Sequence, residues 1–143
     1  MNIERALEIV SQTHPGMVRS HNEDSVAYDA SSGLLVLADG MGGHNAGEVA
    51  SGITVSVMIS EIKYVLEQSA VADTDGMNVP VDLLRENVQK ANASIYHAAH
   101  SQPQYAGMGT TVVAGLFFDN HLAVAHVGDS RMYRLRGGEF TPI

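Results

Sequence analysis

Cysteine is absent from the 143 residues, and basic side chains are scarce, with eight Lys and Arg against sixteen Asp and Glu. Without cysteine there is no disulfide scaffold. The net charge of −8 disfavours nucleic acid as a partner and is compatible with gathering cations, although a solvated acidic face accounts for the same number. Met1 to Val10 shows no n-region, h-region and cleavage pattern of a secretory signal, so a cytoplasmic address is the simplest expectation. The longest apolar stretches stop well short of the roughly 20 residues that cross a bilayer, and no membrane span is expected. Internal repeats and low-complexity segments are also missing. What remains, 45% hydrophobic and 17% charged, is ordinary for one globular domain with a core.

The hydrophobic patterning divides the chain. Leu7 to Thr13, Ser25 to Ala30 and Gly33 to Ala38 read as three strands of a meander, with Ser31-Ser32-Gly33 as the second turn. From Asn45 the apolar residues Val49, Ile53, Val57, Met58, Ile62, Val65 and Leu66 recur at three- and four-residue spacing, the stripe of a core-facing helix. Asn45 and Glu48 form a plausible capping pair at its start. Ser69 to Val79 has no period and reads as a loop; Pro80 then suits the first turn of a second helix with the stripe Leu83, Leu84, Val88, Ala91 and Ile95, ending near His100. Beyond Pro103 the runs Thr110 to Phe118, Leu122 to Val127 and Met132 to Leu135 predict strands, with hairpin turns at Asp119-Asn120 and Gly137-Gly138. Leu122 to Val127 is apolar at nearly every position, which predicts cover on both faces, as in stacked sheets with helices outside.

Three acidic clusters sit at strand boundaries. In Leu34 to His44, LLVLADGMGGH, a buried-looking strand runs into Asp39 and then three glycines. A carboxylate at a strand end is held rigidly, and the glycines let backbone approach whatever it holds, an arrangement suited to a hard cation such as Mg²⁺ or Mn²⁺. No Lys-Ser or Lys-Thr follows, so this is not a P-loop, and taken alone Asp39 reads equally well as an Asp-Gly turn with a capping role. The second cluster, Arg19 to Asp24, joins a guanidinium fork suited to phosphate oxygens with two adjacent carboxylates, Glu23 and Asp24; by itself it reads more readily as a polar loop with a surface ion pair. The third, His126 to Arg131, places Asp129 just after a strand that reads as heavily buried. Three such clusters together point to cations, because gathered carboxylates repel until protons or metal ions neutralise them. His97 and His100 share a helix face without a third ligand, and zinc is not expected there.

Four segments, GMVRSHNED from Gly16 to Asp24, VLADGMGGH from Val36 to His44, GMGTT from Gly107 to Thr111 and HVGDSRMYRL from His126 to Leu135, occur in the order and spacing of one family. The chain resembles the metal-dependent protein serine/threonine phosphatases of type 2C, the PPM family, in its bacterial branch. The resemblance implies an α+β fold, a four-layer α-β-β-α sandwich with two Mn²⁺ or Mg²⁺ ions at one edge of the sheets and a third, weaker one. It assigns Asp39 to bridge the ions with the Gly40 carbonyl beside it, Glu23 to the second ion, Asp24 to bound water, Asp129 to the third ion and Arg19 to the phosphate. A metal-activated water would hydrolyse phosphoserine or phosphothreonine in proteins, reversing Ser/Thr kinase signalling, with the kinase or its substrates as partners. Met41 stands where eukaryotic members carry a histidine proposed as general acid, so leaving-group protonation would fall to water or to His44.

The family's later S-D-G and D-N motifs have no counterpart before Ile143. Residues 1–143 are therefore expected to be one phosphatase catalytic domain truncated after its amino-terminal half, incomplete at the carboxyl end. Weak metal affinity and self-association through unpaired edge strands would follow. The competing expectation is a non-catalytic phosphoprotein-binding or regulatory module that keeps Arg19 but not the chemistry.

Overall fold

The computed structural model describes residues 3–43, 45–69 and 79–143. His44 and most of the loop expected between Ser69 and Val79 lie outside them. Strands β1 (Asp24–Asp29), β2 (Leu34–Met41), β3 (Gly109–Thr110), β4 (Val112–Phe118) and β5 (His121–Val127) form a five-stranded antiparallel sheet in the order β1-β2-β4-β5, with β3 continuing beside the end of β2. Helices α1 (Ala46–Ser69) and α2 (Val79–Ser101) connect β2 to β3, and β6 (Tyr133–Arg136) pairs with β7 (Glu139–Pro142) in a separate hairpin.

Alternation along β2 decides which side carries the core. Leu34, Val36 and Ala38 are buried on the helix side, where the cross-strand register adds Ala27 from β1 and Val112, Ala114 and Leu116 from β4. Met58 and Ile62 of α1 and Leu84 of α2 complete this core, each side chain contributing about 1.5–3 kcal/mol by leaving water. By length and composition Ala46–Gln68, with a hydropathy of 1.4, would pass for a membrane span; interrupted apolar runs had hidden that. In the fold it is the core helix, with Ala50, Thr54, Met58 and Ile62 buried on one side.

Four expectations need correction. Leu7 to Thr13 forms no strand: Ile9 to Gln12 line, with Tyr28, Leu35 and Leu37, an open groove on the outer face of the sheet, and this segment is not hydrogen-bonded into it. Asn45 is not an extended helix cap, because its φ of 65° places it in the left-handed region, outside the geometry of a capping box. Thr110 to Phe118 is broken at Thr111. Finally, among the described residues α2 covers β5 on one side only; its outer face shares with the β6–β7 hairpin an open groove of about 840 Å³ lined by Leu35, Leu122, Val124 and Met132. One α layer on one sheet is the half of an α-β-β-α sandwich that these residues build. The β1–β2 turn is tied to α1 by Asp29, which accepts hydrogen bonds from the Ser31 hydroxyl, the Ser32 N–H and Lys63 Nζ at 2.7, 2.9 and 2.9 Å.

Candidate metal and phosphate site

The period of two that buries Leu34, Val36 and Ala38 sends Leu35, Leu37 and Asp39 to the opposite face. Asp39 is directly across the ladder from Asp24 on the same face. Burial raises the Asp24 pKa above its ordinary value, and the charge of Asp39 and a hydrogen bond with it push the same way, against a smaller opposing pull from Arg19. Two carboxylates so placed repel, and a shared proton or a cation relieves the repulsion.

Behind this pair, backbone packing fixes the approach of β2 to α1. Gly40 N–H donates to the Glu23 carbonyl at 3.0 Å, and a Cβ on Gly40 would lie 2.0 Å from the Gly47 carbonyl oxygen. No residue but glycine fits there. The Glu23 carboxylate lies over Gly47, where a Cβ would come within 2.6 Å of Oε1. This is the first turn of α1, whose unpaired N–H groups favour negative charge. Arg19 Nη1 reaches Glu23 Oε2 at 3.3 Å while its side chain stays 70% exposed, free to swing toward an anion. Arg19, Ser20, His21, Glu23 and Asn45 line an open pocket of about 530 Å³.

Hydrogen bonds hold Asp39 from the other side. Its carbonyl accepts from Thr111 N–H at 2.9 Å and from the Thr110 hydroxyl at 2.9 Å. Its N–H donates to Thr111 Oγ1 at 3.1 Å, and that hydroxyl is 2.7 Å from Ser130 Oγ. Ser130 brings the loop of Asp129 to the site, although Asp129 itself is exposed.

Among the described residues no three acidic or histidine side chains converge in metal-holding geometry. The structure thus brings together Arg19 with Glu23, Asp24 with Asp39 and Gly40 with the Glu23 backbone, and it leaves Asp129 joined to them only through its neighbour. The donor set, all hard oxygens with a facing carboxylate pair, fits Mg²⁺ or Mn²⁺.

Residues 17–143 match the protein phosphatase 2C family. The chain belongs to that family. It is 41% identical over 140 residues to the serine/threonine protein phosphatase PstP of Mycobacterium tuberculosis, covering 96% of this chain and 24% of that protein. To the serine/threonine phosphatase stp of Listeria monocytogenes it is 35% identical over 128 residues, covering 87% of this chain and 48% of the relative. Its fold is similar to that of the PstP catalytic domain in complex with two manganese ions, with TM-score 0.75 and 42% identity over 90% of this chain and 50% of that one. The Staphylococcus aureus phosphatase Stp1 gives a TM-score of 0.74 at 35% identity, over 90% of this chain and 49% of its own. The chain therefore spans a quarter to about half the length of these type 2C relatives, and the α+β architecture described above is theirs.

Sequence reasoning gave Thr110, Thr111, Ser130 and Gly47 no role, although the first three fall in motifs it singled out. The signal was available: two threonines after a glycine at a strand start can bond sideways to a neighbouring backbone, as hydroxyls do at turns and caps.

Proposed function

We propose that this chain carries the amino-terminal half of a metal-dependent protein phosphatase acting on phosphoserine and phosphothreonine. The observation that supports this best is the facing Asp24–Asp39 pair at the end of β2, with the Glu23 carboxylate behind it and the exposed Arg19 guanidinium beside it. Glu23, Asp24, Asp39 and the Gly40 carbonyl would hold two Mn²⁺ or Mg²⁺ ions, with Asp129 near a weaker third. Such ions lower the pKa of water and neutralise phosphate charge. Arg19 offers two parallel N–H donors to phosphate oxygens and orients the phosphoryl group against the carboxylate cluster. Met41 is two-thirds exposed and has no proton to give, so solvent at this open site would protonate the departing serine or threonine oxygen.

A second reading is a phosphoprotein-binding module that uses Arg19 without turnover. It is favoured by the lack of any three converging ligand side chains among the described residues. Among the described residues β5 ends the sheet, and its edge would in either case allow a second copy to add.

Phosphate release from an aryl phosphate and a phosphothreonine peptide separates the two, measured with Mn²⁺, with Mg²⁺ and with chelator, beside Asp39→Ala. Metal-dependent release that Asp39→Ala abolishes supports the phosphatase. Phosphopeptide binding that Arg19→Ala abolishes, with no release under any condition, supports the module.

A further inference from the structure

The antiparallel register that pairs Leu37 with Val113 continues to pair Gly40 with Thr110, which sets Asp39 opposite Thr111. At such a position the two residues ordinarily exchange both backbone hydrogen bonds. Only one is made: Thr111 N–H donates to the Asp39 carbonyl, but the Asp39 N–H goes to the Thr111 side chain. The Thr111 carbonyl that the ladder would have used lies instead 2.9 Å from the Thr110 hydroxyl. The sheet therefore gives up a backbone bond for a side-chain bond at the residue that matters most to the site.

Three further features converge on the same residue. Ser130 Oγ lies 2.7 Å from it, which leaves Thr111 Oγ1 bonded on two sides and fixes its rotamer. Gly128 has φ 98°, and a Cβ there would lie 2.7 Å from Thr111 Cγ2 and 3.0 Å from Cβ, so the turn after β5 closes onto Thr111 only because residue 128 is glycine. Thr111 is also the point where β3 and β4 are interrupted.

We propose that the Thr111 hydroxyl, oriented by Ser130, is a positioning group that sets where the Asp39 carboxylate stands. The proposal deepens the phosphatase reading and rests on its assignment of Asp39 as the central ligand. Thr111 has a place in the ladder that a backbone carbonyl could fill, but a hydroxyl reaches further from the β4 backbone. It holds the Asp39 amide at 3.1 Å from the side chain, so the backbone that carries the carboxylate is fixed by a hydroxyl whose own direction Ser130 sets.

The test uses the 143-residue chain with Thr111→Val, which keeps the shape and removes the hydroxyl, Thr111→Ser, which keeps the hydroxyl, Ser130→Ala and Asp39→Asn. Amide hydrogen exchange at residue 39, read by NMR without metal, should be about tenfold or more faster in Thr111→Val, within twofold of the parent in Thr111→Ser, and two- to fivefold faster in Ser130→Ala. Mn²⁺ affinity, read from the resonance of free aqueous Mn²⁺, should fall about tenfold in Thr111→Val and be restored in Thr111→Ser. Unchanged exchange in Thr111→Val overturns the proposal, as does equal damage from Val and Ser, which would make packing against Gly128 the determinant. Unchanged exchange in Ser130→Ala overturns the role given to Ser130. Asp39→Asn that binds Mn²⁺ like the parent overturns the ligand assignment itself, whatever the Thr111 variants show.

Discussion

Asp24 and Asp39 stand directly opposite each other on adjacent antiparallel strands, facing the same side of the sheet. Like charges so placed destabilise a sheet by about 0.2–1 kcal/mol. Asp24→Asn should therefore stabilise the metal-free chain by that amount at neutral pH in urea unfolding. The sign of the pH effect follows from the raised Asp24 pKa: the folded chain holds the proton to higher pH than the unfolded one, so this group's contribution falls as pH rises above about 3.8 and levels off once the folded form has ionised. In Asp24→Asn that step should vanish. Saturating Mn²⁺ should raise the unfolding midpoint of the parent and raise it less in the variant.

The Asp29–Lys63 pair predicts the opposite limb. Asp29 is partly buried, which alone would raise its pKa, yet hydrogen bonds from Ser31, Ser32 and Lys63 take it well below the usual carboxylate range. A depressed carboxylate contributes stability that is fully present above its unfolded pKa and is lost as pH falls through the folded one. Stability should fall steadily below about pH 4 in the parent and more gently in Asp29→Asn, which should also cost about 1–2 kcal/mol at pH 7 through the lost turn. Lys63→Met should reproduce part of that loss.

Two glycines should respond in opposite directions to alanine. At Gly40 the new methyl meets backbone at 2.0 Å from the Gly47 oxygen and 2.7 Å from the Glu23 oxygen, atoms that cannot step aside. Gly40→Ala should cost more than about 4 kcal/mol or prevent folding. Gly52 lies inside α1 with nothing within 4 Å of a Cβ, and Gly52→Ala should stabilise by about 0.5–1 kcal/mol. Denaturation of the two variants beside the parent checks both.

Arg19→Ala should separate binding from chemistry. The guanidinium is largely exposed and, among the described residues, its ion pair is with Glu23 at 3.3 Å, so its loss should change stability by less than about 0.5 kcal/mol. If a phosphatase activity is present, KM for a phosphopeptide should rise about tenfold or more, with a smaller change in kcat.

Much of this was legible in the sequence because it is written in periods. Apolar and β-branched runs located β1, β4 and β5 to within a residue or two and the start of β2 to within one, although β2 runs three residues past Ala38, and the three- and four-residue stripes located both helices, with Leu83, Leu84 and Ala91 buried as read. Leu7 to Thr13 failed because a strand needs a backbone partner, and local pattern cannot say whether a segment pairs along an edge or lies beside a face. Asn45 failed because residue type favours a cap while the chain here needs a left-handed turn after the glycines. β7 escaped notice since Glu139 to Pro142 has neither alternation nor an apolar run, and its pairing comes from the Gly137-Gly138 turn, both at positive φ. For the site, the carboxylates were visible one by one, although the facing of Asp24 and Asp39 across β1 and β2 was not read until the register was known. Thr111 was not visible, because its role depends on a bond the ladder omits.

The strand that carries Asp39 is assembled from distant parts of the chain. Its partner on one side, β1, arrives within a short hairpin, whereas Thr111 on the other lies 72 residues further on, beyond both helices. Contacts of such long sequence separation are slow to form, and the entropy of closing the loop is spent before the pairing returns anything. During folding the β1–β2 hairpin and α1 can assemble early, with Asp24 and Asp39 already face to face, but the Asp39 amide gains its partner only when β4 docks. Such an order would bring the two carboxylates together before the sheet that fixes them is closed, and a cation present at that moment would act on the rate of folding as well as on its end point.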